Sequence, residues 1–135
     1  MKFRILPALL VLLFACGCMT VHKSSVFENI RVDDSRAPLC SIEIENTVWL
    51  LLNFIPLGSG DPEEPNVNTC RYFRNTVNLE NNMKVLNREM AAAKTDSVAN
   101  LTSHYADETY LFFLLARRSC HTSAVLLKPE EEARK

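Results

Sequence analysis

The chain lacks most of the signatures that announce a biochemical activity. It has no GxSxG nucleophile elbow, no GxGxxG or GxxxxGK[ST] phosphate loop and no EF-hand spacing. Its five cysteines include no CxxC pair, so a structural zinc site has no motif behind it. Basic clusters are missing too. Lys and Arg are scattered, the pair Arg117-Arg118 is too small to form a patch, and the formal net charge is −1, which excludes the electrostatic footprint of nucleic-acid binding. The apolar run from Ile5 to Ala15 falls short of the roughly 20 residues that span a bilayer.

What is present begins at the N-terminus. Lys2 and Arg4 precede the run from Ile5 to Ala15, broken only by Pro7, and small residues ending in cysteine follow. This is the plan of a secretory signal peptide. Leu13-Phe14-Ala15-Cys16 resembles the lipobox of bacterial lipoproteins, in which the cysteine sulfur receives a lipid, and Ala15-Cys16-Gly17-Cys18 fits the same pattern. The resemblance makes Cys16 the expected lipidation site, with Cys18 as the alternative, and a lipid in place of a membrane-spanning helix. Residues 1–15 are then the signal peptide, and 16–38, polar and without sustained periodicity, a lipidated terminus and flexible tether that includes a conceivable short strand at 26–32. Losing Lys2 and Arg4 makes the remaining chain two charges more acidic.

Export implies an oxidising compartment, where cysteine pairing matters. Cys40, Cys70 and Cys120 lie in the body of the chain. A bridge between Cys70 and Cys120 is expected because both flank regular structure; burial of all three as small apolar side chains stays open.

The folded domain is expected over 39–128, with a charged tail at 129–135. Cys40, Ile42 and Ile44 alternate with Ser41, Glu43 and Glu45, the period of a strand with one buried face. Asn46-Thr47 breaks the pattern, and the run from Val48 to Ile55 is apolar on both faces, as in a covered central strand. Pro56, Gly58, Gly60 and Pro62 end regular structure. Gly58-Ser59-Gly60-Asp61 lacks phosphate-loop spacing, and Asp61, Glu63 and Glu64 read as an acidic surface loop. From Asn78 to Lys94 the spacing of Leu79, Met83, Leu86 and Met90 predicts an amphipathic helix capped by Asn78. A strand at 98–105, a turn at Ala106-Asp107-Glu108, a strongly apolar strand at 109–116 and a further stretch at 119–127 complete the domain. The order implies an α+β fold, a mainly antiparallel sheet of about four strands with one amphipathic helix on one face. A right-handed crossover past the helix would make one strand pair parallel.

The lipobox, the run from Ile44-Glu45-Asn46-Thr47-Val48-Trp49 into Phe54-Ile55-Pro56-Leu57-Gly58-Ser59-Gly60, the single helix, and the segments Asn100-Leu101-Thr102-Ser103 and His121-Thr122-Ser123-Ala124-Val125 together resemble small bacterial lipoproteins. The resemblance implies a cell-envelope location with a compact α+β domain, and nothing catalytic. Neither Cys16-Gly17 nor Cys18-Met19 carries the Asp associated with inner-membrane retention, so it favours the outer membrane. Ser103, His104, Asp107, Cys120, His121 and Ser123 include types suited to hydrolysis, with a Cys120/His104 pair conceivable, but nothing in the sequence brings them together. The expected function is therefore a non-catalytic, membrane-anchored interaction or structural module with no cofactor, held by its lipid and contacting another envelope protein. The alternative is a small-ligand or metal binder using Cys70, His104, Cys120 and His121.

Overall fold

The computed structural model describes residues 17–25, 36–67, 69–111 and 113–129. The expected signal peptide, Cys16, the strand considered at 26–32 and residues 130–135 of the tail lie outside them. The chain order is β1 (Met19–Ser24), β2 (Pro38–Leu51), β3 (Ile55–Gly60), β4 (Cys70–Tyr72), α1 (Leu79–Ala92), β5 (Val98–Tyr110) and β6 (Leu115–Leu127). The six strands form one sheet in the order β4-β3-β2-β6-β5, with β1 also paired to β2. All the strand pairs are antiparallel. The fold is α+β, with six strands among the described residues where about four were expected, and no parallel crossover among them.

Strand β2 is the spine. Its first half pairs with β1 from Ser41 to Asn46 and its second half with β3 from Val48 to Leu51, so β1 and β3 lie end to end along one edge. Its other edge pairs with β6 over nearly its full length. The interruption expected at Asn46-Thr47 does not occur. Asn46 is buried, with its Nδ2 donating to the Thr76 carbonyl at 2.7 Å, and this tertiary bond lets a polar side chain continue the strand.

The added strands have physical causes that period alone does not reveal. Residues 19–24, expected within the tether, form β1 because Met19 and Val21 alternate inward and are 1% and 8% exposed. Residues 55–60, expected to end regular structure, form β3 with Gly58, Ser59 and Gly60 buried. The glycine at 60 serves close backbone approach, not a turn: a Cβ there would sit 2.2 Å from the Met19 nitrogen, and one at Gly17 would sit 2.0 Å from the Thr47 carbonyl oxygen. The start of β1 thus lies directly against β3.

Helix α1 begins as expected, with the Asn78 side chain accepting from the Asn81 N–H at 2.8 Å. Its buried face is rotated from the expected stripe. Asn82, Val85 and Leu86 are buried, Met83 and Met90 are partly buried, and Leu79 is 43% exposed. The core between helix and sheet comprises Met19, Val21, Ile42, Ile44, Val85, Leu86, Ala124 and Leu126. Each Met, Val, Ile or Leu side chain among them, taken from water, stabilises the fold by about 1.5–3 kcal/mol. Val48, Leu50, Val77, Ala116 and Cys120 continue the apolar layer on the same side of the sheet.

The two apolar runs expected as strands at 48–55 and 109–116 each hold a turn. Strand β2 stops at Leu51 and β3 starts at Ile55; β5 stops at Tyr110 and β6 starts at Leu115. The turn expected at 106–108 is continuous strand, and the strand expected at 109–116 is the bend of the β5–β6 hairpin. The two bends adjoin, since Leu52 N–H donates to the Leu114 carbonyl at 2.8 Å.

Candidate functional site

Helix α1 packs on β2 and β6, leaving the opposite, outer face of the sheet without a second layer among the described residues. Strand alternation places Glu43, Glu45, Thr47 and Trp49 of β2 on that face with Ser123, His121, Ser119 and Arg117 of β6 opposite them. Strand β5 adds Thr102, His104, Glu108 and Tyr110, paired with Ser123, His121, Arg117 and Leu115. The result is a polar band crossing three strands.

At its centre the His104 and His121 rings stack with centroids 4.9 Å apart. His121 Nε2 lies 3.0 Å from Ser119 Oγ and 3.9 Å from Glu45 Oε1. This is not a relay. A nucleophile–base–acid chain needs serine and carboxylate on different ring nitrogens, whereas both approach the same one. Glu45 Oε1 is also held by Arg117 Nη2 at 2.8 Å, and Arg117 reaches Glu108 at 3.6 Å. The Tyr110 hydroxyl donates to Glu108 Oε2 at 2.5 Å. That bond to a carboxylate, followed by partial desolvation, raises the phenol above its ordinary pKa. Further along, a surface cavity of about 500 Å³ opens beside His22, Ser24, Ser41, Glu43 and Ser123. The band presents donors, acceptors and imidazole faces for recognition.

The cysteines fall elsewhere. Cys120 is fully buried on the helix side of the sheet, one residue and therefore one face away from His121. Burial pushes its thiol pKa up, against the opposing effect of hydrogen bonds with Tyr105 and Thr122, and its place on the helix side keeps it away from His104 on the outer face. Cys70, on β4 at the far edge of the sheet, is disulfide-bonded. Cys18, Cys40 and Cys120 are free thiols. The expected Cys70–Cys120 bridge is thus absent, because the two residues occupy separate parts of the sheet. The same separation dismantles the ligand set of Cys70, His104, Cys120 and His121: only the two histidines meet. Among the described residues no three His, Cys, Asp or Glu side chains converge as metal ligands. Of the lipidation candidates, Cys16 lies outside the described residues and Cys18 is exposed immediately before the buried Met19. The acidic loop is satisfied locally, with Asp61 bonded to Arg71 at 2.7 Å and Glu63 to Arg71 at 3.3 Å.

The polar band ends at apolar residues whose pattern predicts covered strands. Leu52, Phe54, Leu111, Phe113 and Leu114 project from the paired bends with 40%, 70%, 68%, 68% and 48% of their surface exposed. Phe73, after β4, joins this end, its N–H donating to the Leu57 carbonyl. Leu52, Asn53, Phe73, Leu111 and Phe113 all have positive φ, a region that costs a residue with a Cβ about 1–2 kcal/mol. Asn53 suits it; the Leu and Phe residues do not, and their exposed side chains recover no core contacts. Directly beneath, Trp49 and Tyr110 touch with ring centroids 5.6 Å apart. The signal for this end was legible: no charged residue occurs between Asn46 and Gly60 or between Thr109 and Ala116.

No family model, curated protein or solved structure matches the chain. No helix among the described residues is long and apolar enough to cross a membrane.

Proposed function

We propose that the protein is a non-catalytic, lipid-anchored lipoprotein of the bacterial cell envelope, favouring the outer membrane, that recognises another envelope protein through β5 and the adjoining polar band. The observation that carries the recognition half is β5 itself. It is a strand of 13 residues at the end of the sheet, exposed along nearly all of both faces. A long open edge invites pairing with another chain, and strand addition uses main-chain hydrogen bonds for affinity and flanking side chains for selectivity. His104 and its neighbours on the outer face supply those side chains. The anchoring half rests on the basic, apolar and small-residue order ahead of Cys16 and Cys18.

The two halves are tested separately. Replacing both Cys16 and Cys18 by Ala should abolish incorporation of labelled fatty acid and release the protein from membranes; unchanged labelling sinks the anchor. A photo-crosslinker at Leu101 or Thr109 should give a discrete protein adduct in cells while one at Lys84 on the helix gives none, and equal behaviour at the three positions sinks the β5 interface. A cysteine sulfur carries a lipid or a disulfide, never both, so mapping the partner of Cys70 by peptide mass analysis also bears on the choice between Cys16 and Cys18.

A further inference from the structure

We infer that the paired hairpin bends form a membrane-inserting tip, whose occupant is the apolar interior of the bilayer that holds the anchor. This rests on the lipid-anchored reading above and adds a second, tertiary contact with the same membrane.

The observations favour lipid over a protein groove because they are layered along one axis. At the end stand Leu52, Phe54, Leu111, Phe113 and Leu114, all exposed. One step down are Trp49 and Tyr110, in ring contact; these amphipathic aromatics prefer the depth of the lipid headgroups. Charge begins at the level of Trp49, where its cross-strand partner Arg117 lies between Glu45 and Glu108, as at the headgroups of a bilayer, and the polar band follows. A bilayer presents the same succession from interior to water. Lipid also demands that backbone groups be satisfied within the protein. Leu52 N–H donates to the Leu114 carbonyl, Phe54 N–H to Leu51 and Leu114 N–H to Leu111, so each bend closes on itself or on its neighbour.

The position of chain entry agrees. Gly17 N–H donates to the Gly58 carbonyl, three residues along β3 from Ile55, which is roughly 10 Å at strand spacing. A lipid joined near Gly17 therefore enters the fold beside the tip rather than at the opposite end of the sheet. With Met19 already in the core, little free chain separates the two. Anchor and tip together would stand the sheet upright on the membrane, with β5 facing sideways and the cavity near Ser24 directed away.

Trp49 is the one tryptophan of the chain and reports on the tip directly. The acylated protein and its Phe54→Ser/Phe113→Ser variant are reconstituted into vesicles of phosphatidylethanolamine and phosphatidylglycerol, with and without lipids brominated along their acyl chains. Both proteins should float with the vesicles, and brominated lipid should quench Trp49 at least twofold more in the parent than in the variant, while their circular dichroism and melting temperatures agree. Flotation of both with no quenching, or with equal quenching, overturns the inserted tip and leaves the anchor intact. Quenching that depends on Phe54 and Phe113 in a protein found to carry no lipid on cysteine supports the tip and sinks the anchor.

Discussion

The two ends of the sheet obey opposite rules. Where α1 covers the sheet, apolar side chains such as Ile42, Ile44, Leu86 and Leu126 are deeply buried, and even the polar Asn82 and Thr122 are bonded to each other at 3.0 Å. Where the hairpins bend, equally apolar side chains, Leu52, Phe54, Leu111, Phe113 and Leu114, stand in solvent. The first end is organised by packing, because each residue there touches a second layer. The second end is organised by its own backbone bonds, since nothing among the described residues covers it. Hydrophobicity alone therefore does not locate the core of this protein; a covering partner does.

The contrast is sharpest at Leu86, which is fully buried between helix and sheet. Leu86→Ala should cost about 2–5 kcal/mol, measured by urea unfolding. A loss no larger than that of Phe113→Ala, expected within about 0.5 kcal/mol, would break the comparison. Asn82→Ala comes next. It removes the Nδ2 donor to the Cys120 carbonyl and to Thr122 Oγ1, each at 3.0 Å; leaving buried acceptors unpaired should cost about 1–3 kcal/mol in the same assay.

A smaller effect belongs to the clamp between the end of β3 and the start of β4. The Arg71 guanidinium beside Asp61 holds that carboxyl below its ordinary pKa of 3.8. A depressed carboxylate contributes stability that is complete above the unfolded value and is lost as pH falls through the folded one. Between pH 5 and about pH 2.5 the parent should therefore lose slightly more melting temperature than Arg71→Gln. Identical acid sensitivity would remove this pair from the stability of the fold.

The smallest change is expected at the tip, with the sign reversed. Leu111 has φ 51° and is 68% exposed. Leu111→Asn, which suits that backbone, should leave stability unchanged or raise it by a few tenths of a kcal/mol. A clear loss would mean that the bend is held by packing after all.

How far the sequence could be read follows from where each signal resides. Asn78 as a helix cap and the alternation from Cys40 to Glu45 are local chemistry, and both stand in the structure. The rotation of α1 onto Val85 and Asn82 was not readable, because a buried asparagine looks polar until Cys120 and Thr122 on another strand supply its partners. The glycine at 60 reads as a turn former because its reason, the backbone at Met19 lying at contact distance, is some forty residues away. The runs around Phe54 and Phe113 read as covered strands because period and composition do not say whether a neighbour arrives. Of the outer band, His104 and His121 were visible as residue types; their stacking, the shared nitrogen of His121 and the Glu45–Arg117–Glu108 series came only with strand register.

By itself the sequence determined an α+β domain, the cap of its helix at Asn78 and the strand alternation from Cys40 to Glu45. These are properties of neighbouring residues, fixed by local sterics and hydrogen bonding. Only the tertiary structure decided which apolar residues are interior and which are displayed, that β1 belongs to the sheet, and that Cys70 and Cys120 never meet. Each of those depends on contacts between segments far apart in the chain, and burial is a property of what covers a residue.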